Sequence, residues 1–170
     1  SDKRALVSDL QACIREVWSS CKQESIVTMN SGVILNMDLP GIEFTVTTGG
    51  RPFEGAREAI SELHRMGVPA YIASGDRLEK LERMGDYLGI PRERIYGVAT
   101  PSMKARIVEE LKSQYEIVVM VGDAINDLNA FQKADLAILT EQQSDRKPDI
   151  LYAYVDRVIR NVSEVPGIVA

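Results

Sequence analysis

The sequence is short of the residues that build soft-metal and disulfide sites: it has one histidine, His64, and two cysteines, Cys13 and Cys21. With no second histidine, a zinc centre is excluded, and His64 reads as a partly buried or surface residue of a helix. The cysteines fall eight residues apart on an expected helix, about 12 Å from each other, too far for a disulfide. Reduced thiols and a cytoplasmic location are the expectation.

A basic run is also missing. The formal charge is -5 with no block of lysine and arginine against it, which argues against nucleic acid or an acidic membrane as partner. A bound cation would offset clustered acids. No stretch reaches the roughly 18 consecutive apolar residues of a membrane span, and Asp2, Lys3 and Arg4 lead into an amphipathic segment rather than a secretory leader. The chain begins Ser1-Asp2-Lys3 without a methionine, as an excised fragment or a cleaved tag would.

What remains is ordinary for a globular chain: 170 residues, 45% hydrophobic and 26% charged, enough for one domain with a buried core. Leu6, Leu10, Ile14, Val17 and Trp18 recur at helical spacing over 5–18, with Trp18 as a packing anchor. Two β-prone runs, 31–37 and 42–47, meet at Asp38-Leu-Pro-Gly41, where Pro40 presets a turn, so an antiparallel hairpin is expected. From residue 54 the rhythm becomes helix (54–66), strand (70–73), helix (77–88), a brief strand near Ile95 and helix (102–114). It continues with strand (117–121), helix (125–132), strand (136–139) and a last strand-helix pair at 150–162. Near-continuous apolar strands alternating with helices predict an α/β fold, a doubly wound, Rossmann-like parallel sheet with helices on both faces. The N-terminal helical segment, 1–24, is set apart from an α/β core at 25–170. Residues 141–149 read as a solvated surface loop.

In such a sheet, ligands bind outside the carboxyl ends of the strands. Three polar clusters sit at or near such ends. Ser74-Gly75-Asp76 offers a hydroxyl, a close backbone approach and a helix start to a phosphate oxygen; the plain alternative is a helix cap by Ser74 or Asp76. Asp123-Ala-Ile-Asn126-Asp127 puts two carboxylates four residues apart beside a carboxamide, an oxygen-only set that suits Mg²⁺. Two crowded acids repel unless a cation sits between them. Lys104 lies near the start of a helix, where the dipole disfavours a cation unless an anion or an acid is close; the plain alternative is a solvated lysine.

Together, Ser74-Gly-Asp, Pro101-Ser-Met-Lys104, Met120-Val-Gly-Asp-Ala-Ile-Asn-Asp127 and Ala134-Asp-Leu-Ala-Ile138 resemble the haloacid dehalogenase-like (HAD) superfamily. The resemblance extends from about Gly41 to Leu139 and includes Arg51-Pro-Phe-Glu-Gly-Ala-Arg-Glu-Ala-Ile60. It is nearest to the phosphorylation domain of P-type ATPases and its soluble archaeal phosphatase relatives. It implies a Mg²⁺-dependent phosphohydrolase core acting on a small phosphorylated substrate. Ser74, Gly75, Lys104 and Asn126 would bind phosphate, Asp76 would be a neighbouring polar contact, and Lys104 would neutralise the phosphoryl charge. Asp123 would be a direct Mg²⁺ ligand and Asp127 its direct or water-mediated support. Such a group in transfer spreads charge over its equatorial oxygens, which a metal, an amine and oriented donors stabilise.

The family pattern also has a strand ending in a nucleophilic aspartate, often with another acid two residues on, then glycine and threonine. No such run is present. Asn36 and Asp38 fall nearest to that motif, with Asn36 at the nucleophile position, where an amide attacks poorly, and Asp38 at the general-acid position as a weak candidate. The preferred alternative places the nucleophile in upstream sequence outside this chain. A silent metal- and phosphate-binding module and an excised phosphorylation domain of a P-type pump are the rival functions. Substrate and oligomeric state are not written in these motifs.

Overall fold

The structure is a computed structural model that describes residues 7–20, 28–35, 42–50, 52–143 and 146–170. Asn36, Asp38, the turn 38–41 and Cys21 lie outside the described residues. The chain divides into two compact units, Ser1–Pro52 and Phe53–Ala170.

The first unit holds helix α1 (Val7–Ser20) and the strands β1 (Thr28–Leu35) and β2 (Ile42–Gly50). The strands pair antiparallel with Ile34 opposite Phe44 and a register shift after Ile34, so the expected hairpin forms with both strands longer than the apolar runs alone suggest. Ile14 of α1 is half-buried, as its place on the apolar stripe requires.

The second unit opens with α2 (Ala56–Arg65), β3 (Ile72–Ala73), α3 (Leu78–Leu88) and β4 (Ile95–Tyr96). Helix α3 ends at Gly89, whose φ of 75° is the left-handed cap that only glycine adopts without strain. Then come α4 (Pro101–Lys112), β5 (Val119–Gly122), a 3₁₀ turn at Ile125–Asp127, α5 (Leu128–Phe131) and β6 (Leu136–Thr140). The unit closes with α6 (Asp149–Tyr152), β7 (Arg157–Ile159), a 3₁₀ turn at Val162–Glu164 and α7 (Val165–Val169).

The last pair departs from expectation: a helix precedes a strand instead of following it. Pro148 starts α6, and Leu151 is fully buried against Phe131 and Leu139. A short apolar run such as Ile150-Leu151 carries too little periodicity to separate strand from helix.

The strands are parallel, but they form two sheets, β3–β4 and β5–β6–β7. Helices cover both faces of the larger one. Along β5, Val119 and Val121 pack with Leu63 of α2 and Val165 of α7, while Met120 packs on the other side with Val108 and Leu111 of α4. The period-two alternation of a strand thus feeds two separate apolar layers. Ile138 and Leu139 of β6, both fully buried, do the same for their neighbours. Among the described residues, no helix is long and apolar enough to cross a membrane.

Candidate functional site

Thr100 starts α4: its side chain accepts from the Met103 amide at 3.3 Å, and Pro101 takes the first turn, where no amide partner is needed. This fixes Lys104 one turn into the helix with its amide bonded to the Thr100 carbonyl at 2.9 Å. Lys104 is not the solvated residue of the plain alternative. It is buried, 7% exposed, and its Nζ donates to Asp127 Oδ1 at 2.7 Å. The acid that a cation at this helix end demands is therefore Asp127.

Asp127 is buried too. Its Oδ2 accepts from the backbone amides of Asp123 at 3.1 Å and Ala124 at 3.3 Å, so one carboxylate holds the whole loop after β5. Gly122 makes this possible: a β-carbon there would lie 2.6 Å from Asp127 Oδ2. The carboxylate occupies the space that any side chain at 122 would take.

With Asp127 committed to a lysine and two amides, Asp123 is the acid of the loop left facing outward, its side chain about a third exposed at 36%. Lys147 Nζ stands 3.5 Å from Asp123 Oδ2, with its own side chain only 10% exposed. The repulsion between two nearby acids is thus relieved by two lysines, one on each. Lys147 was missed in the sequence, where 141–149 read as a solvated loop. It is held by the Tyr152 hydroxyl, which accepts from the Lys147 amide at 3.1 Å and donates to Glu141. Asn126 is exposed.

At the end of β3, the Ser74 hydroxyl accepts from the Asp76 amide at 3.2 Å and lies 3.3 Å from Asp76 Oδ2 as donor. Neither residue caps α3, whose N-cap is Arg77 with no side-chain bond. The helix-cap alternative therefore falls, and the Ser74–Asp76 turn is a feature of its own. It is tied to the lysine by backbone bonds: Ala99 donates to the Ser74 carbonyl at 2.8 Å, and Thr100 follows directly. A continuous bonded path runs from Ser74 through Ala99, Thr100, Lys104 and Asp127 to Asp123.

Oxygen donors of this kind suit a hard cation. Mg²⁺ takes one or two carboxylates and leaves its other positions to water and phosphate, and Asp123 fits one such position. Asp127 fits a supporting place, since its oxygens already have partners. Among the described residues, no group of three or more His, Cys, Asp or Glu side chains is placed to hold a metal.

Residues 31–135 match the sequence profile of the haloacid dehalogenase-like hydrolases. A soluble P-type ATPase-like phosphatase of Methanocaldococcus jannaschii is 30% identical over 98% of this chain and 60% of its own length. A copper-transporting ATPase of Helicobacter felis is 36% identical over 57% of this chain and 13% of its own length. The chain thus spans less than two thirds of the length of either relative. In fold it is similar to the catalytic domain of a CPx-ATPase, with a TM-score of 0.59 at 24% identity over 75% of this chain and 52% of that one. A phosphoserine phosphohydrolase-like protein from Francisella tularensis gives 0.58 at 24% identity over 69% of this chain and 63% of that one. With the profile covering most of β1, all of β2, Ser74, Lys104 and the Asp123–Asp127 loop, this chain belongs to the haloacid dehalogenase-like hydrolases.

Proposed function

We propose that residues 53–170 carry the phosphoryl-handling half of a cytoplasmic, Mg²⁺-dependent phosphohydrolase that acts on a small phosphorylated substrate through an aspartyl-phosphate. The observation that carries this reading is the buried Lys104–Asp127 pair, whose carboxylate organises the loop that presents Asp123. Lys104 sets a fixed positive charge beside the phosphoryl oxygens. Ser74 and the Gly75 backbone supply donors, Asn126 a further contact, and Asp123 holds the cation. Bound Mg²⁺ would neutralise the charge that develops on the transferring group. The attacking carboxylate comes from outside the chain; Asp38, the weak general-acid candidate, lies outside the described residues.

Titration of the full chain with Mg²⁺, followed by amide NMR, is expected to shift the signals of Asp123 and Ala124, and Asp123→Asn is expected to abolish the response. Silence of those amides in the native chain counts against the metal site. Turnover of a generic phosphomonoester is expected to be absent from this chain alone. Robust, metal-dependent turnover abolished by Asp38→Ala would overturn the reading that the chain lacks part of its catalytic set.

A second reading, a phosphate-binding module without turnover, is favoured by the lack of a third acid near Asp123 among the described residues. It predicts phosphate binding that no added carboxylate converts into hydrolysis. The copper ATPase similarity supports a third, a phosphorylation domain of a P-type pump, which the coding sequence on either side would reveal as membrane helices.

A further inference from the structure

Two lysine–acid pairs meet at the loop after β5, and they are built differently. Lys104 and Asp127 are both buried and 2.7 Å apart, and both Asp127 oxygens have partners. Lys147 and Asp123 are 3.5 Å apart, and the Asp123 side chain is 36% exposed. Bonds between an ammonium and a carboxylate run at roughly 2.7–2.9 Å, so the first pair is closed and the second is loose. The first holds the loop in shape. The second can open while that shape is kept.

The backbone delivers Lys147 to this place. Its amide donates to the Tyr152 hydroxyl at 3.1 Å, that hydroxyl donates to Glu141, and the Glu141 amide donates to the Ile159 carbonyl at 2.9 Å. The next residue, Pro148, starts α6, where Leu151 is fully buried. Lys147 is thus pinned between the end of β6 and α6. Its neighbour Arg146 pairs with Asp149 out at the surface. Lys147 instead turns inward, with a side chain only 10% exposed, and its ammonium meets Asp123.

An ammonium withdrawn from water needs an anion, and Asp123 supplies it. Asp123 is also the carboxylate fitted to Mg²⁺. That ion sits about 2.0–2.1 Å from its oxygen ligands, and a dication and an ammonium on one carboxylate repel each other. The ammonium is the one free to leave. A lysine carries a compact charge on a flexible four-carbon stem, so the tip swings away while the pinned backbone stays.

We propose that Lys147 is a tethered stand-in for the metal: its ammonium holds Asp123 while no divalent cation is bound, and Mg²⁺ enters by displacing it. Lys147 thereby sets how much Mg²⁺ the site requires. The proposal rests on the reading of Asp123 as a Mg²⁺ ligand and adds to it a competitor carried by the chain itself. Lys104, closed on Asp127, takes no part in the exchange.

The full chain receives Mg²⁺ at constant pH and ionic strength. NMR follows the Asp123 and Ala124 amides together with the side-chain ε-methylene signal of Lys147, assigned by its absence from Lys147→Arg. In the native chain that signal is expected to move toward the position shared by solvated lysines, in step with the two amides. A signal that stays in place while the amides saturate overturns displacement, and this readout needs no variant to bind metal. Lys147→Met keeps the stem and removes the charge. A loose, partly exposed ion pair is worth about a factor of five, so this variant is expected to half-saturate at about one fifth of the native Mg²⁺ concentration. Equal or weaker binding overturns the proposal. Lys147→Arg restores a tethered charge and is expected to return half-saturation toward the native concentration; an arginine variant that binds like the methionine one also overturns it. Amides silent in the native chain and in Lys147→Met alike overturn the metal site and this proposal together. Amides that respond at the same Mg²⁺ concentration in both overturn this proposal alone.

Discussion

Lys104 and Asp127 form a pair in which each residue is the reason the other tolerates burial, with side chains 8% and 6% exposed. Removing one partner leaves an uncompensated charge in an apolar setting, which costs about 3–5 kcal/mol. Lys104→Met should therefore lower the urea midpoint sharply, because Asp127 is also bonded to the Asp123 and Ala124 amides and cannot turn to solvent without dismantling the loop. Adding Asp127→Leu should recover part of the stability, since an apolar pair carries no buried charge, while the loop amides stay unpaired. A single variant as stable as the native chain would mean the pair is solvated in solution. Part of this was legible beforehand: a lysine in the first turns of a helix asks for an anion or an acid nearby, although the sequence reading matched Lys104 to phosphate and the two acids to a cation. Which of the two acids answers was not legible, because that depends on Gly122 leaving room for the Asp127 carboxylate. Lys147 gave no signal at all. Its partner lies 24 residues away, and a polar loop carries no periodicity from which a long-range contact is read.

At the scale of elements, α4 is the ruler along which the site is laid out, with Thr100 and Lys104 at one end and Tyr115 just past the other. The sequence marked this helix and both strands beside it, because apolar period and turn residues are local. Their directions relative to one another are tertiary, and no local pattern records them. The Tyr71–Tyr115 contact that reports the far end also has a titration signature. The hydrogen bond to Tyr115, and then burial, raise the Tyr71 pKa above its usual 10.0. A raised phenol favours its neutral form in the fold, so the stabilisation is fully present below the unfolded value near 10 and fades as pH rises through the folded one. Tyr115→Phe should bring the Tyr71 titration down toward the ordinary value in phenolate absorbance. It should cost about 1 kcal/mol at neutral pH, with the gap to the native chain closing in strong alkali. An unmoved titration would show that the hydroxyls are apart in solution.

For the whole molecule, the proposed cation site exists only in the fold, because Asp123 is presented by a loop that the Asp127 carboxylate holds through the Asp123 and Ala124 amides. A ligand that binds the folded state alone must stabilise it: at a hundred times its Kd it adds about 2.7 kcal/mol. For a unit of this size each kcal/mol moves Tm by about 4 °C, so the rise is on the order of 10 °C. The thermal melt of the full chain should climb logarithmically with Mg²⁺ concentration, and Asp123→Asn should leave it nearly flat over the same range. A rise that the native chain and the variant share would mean that the cation stabilises the fold somewhere other than the loop after β5.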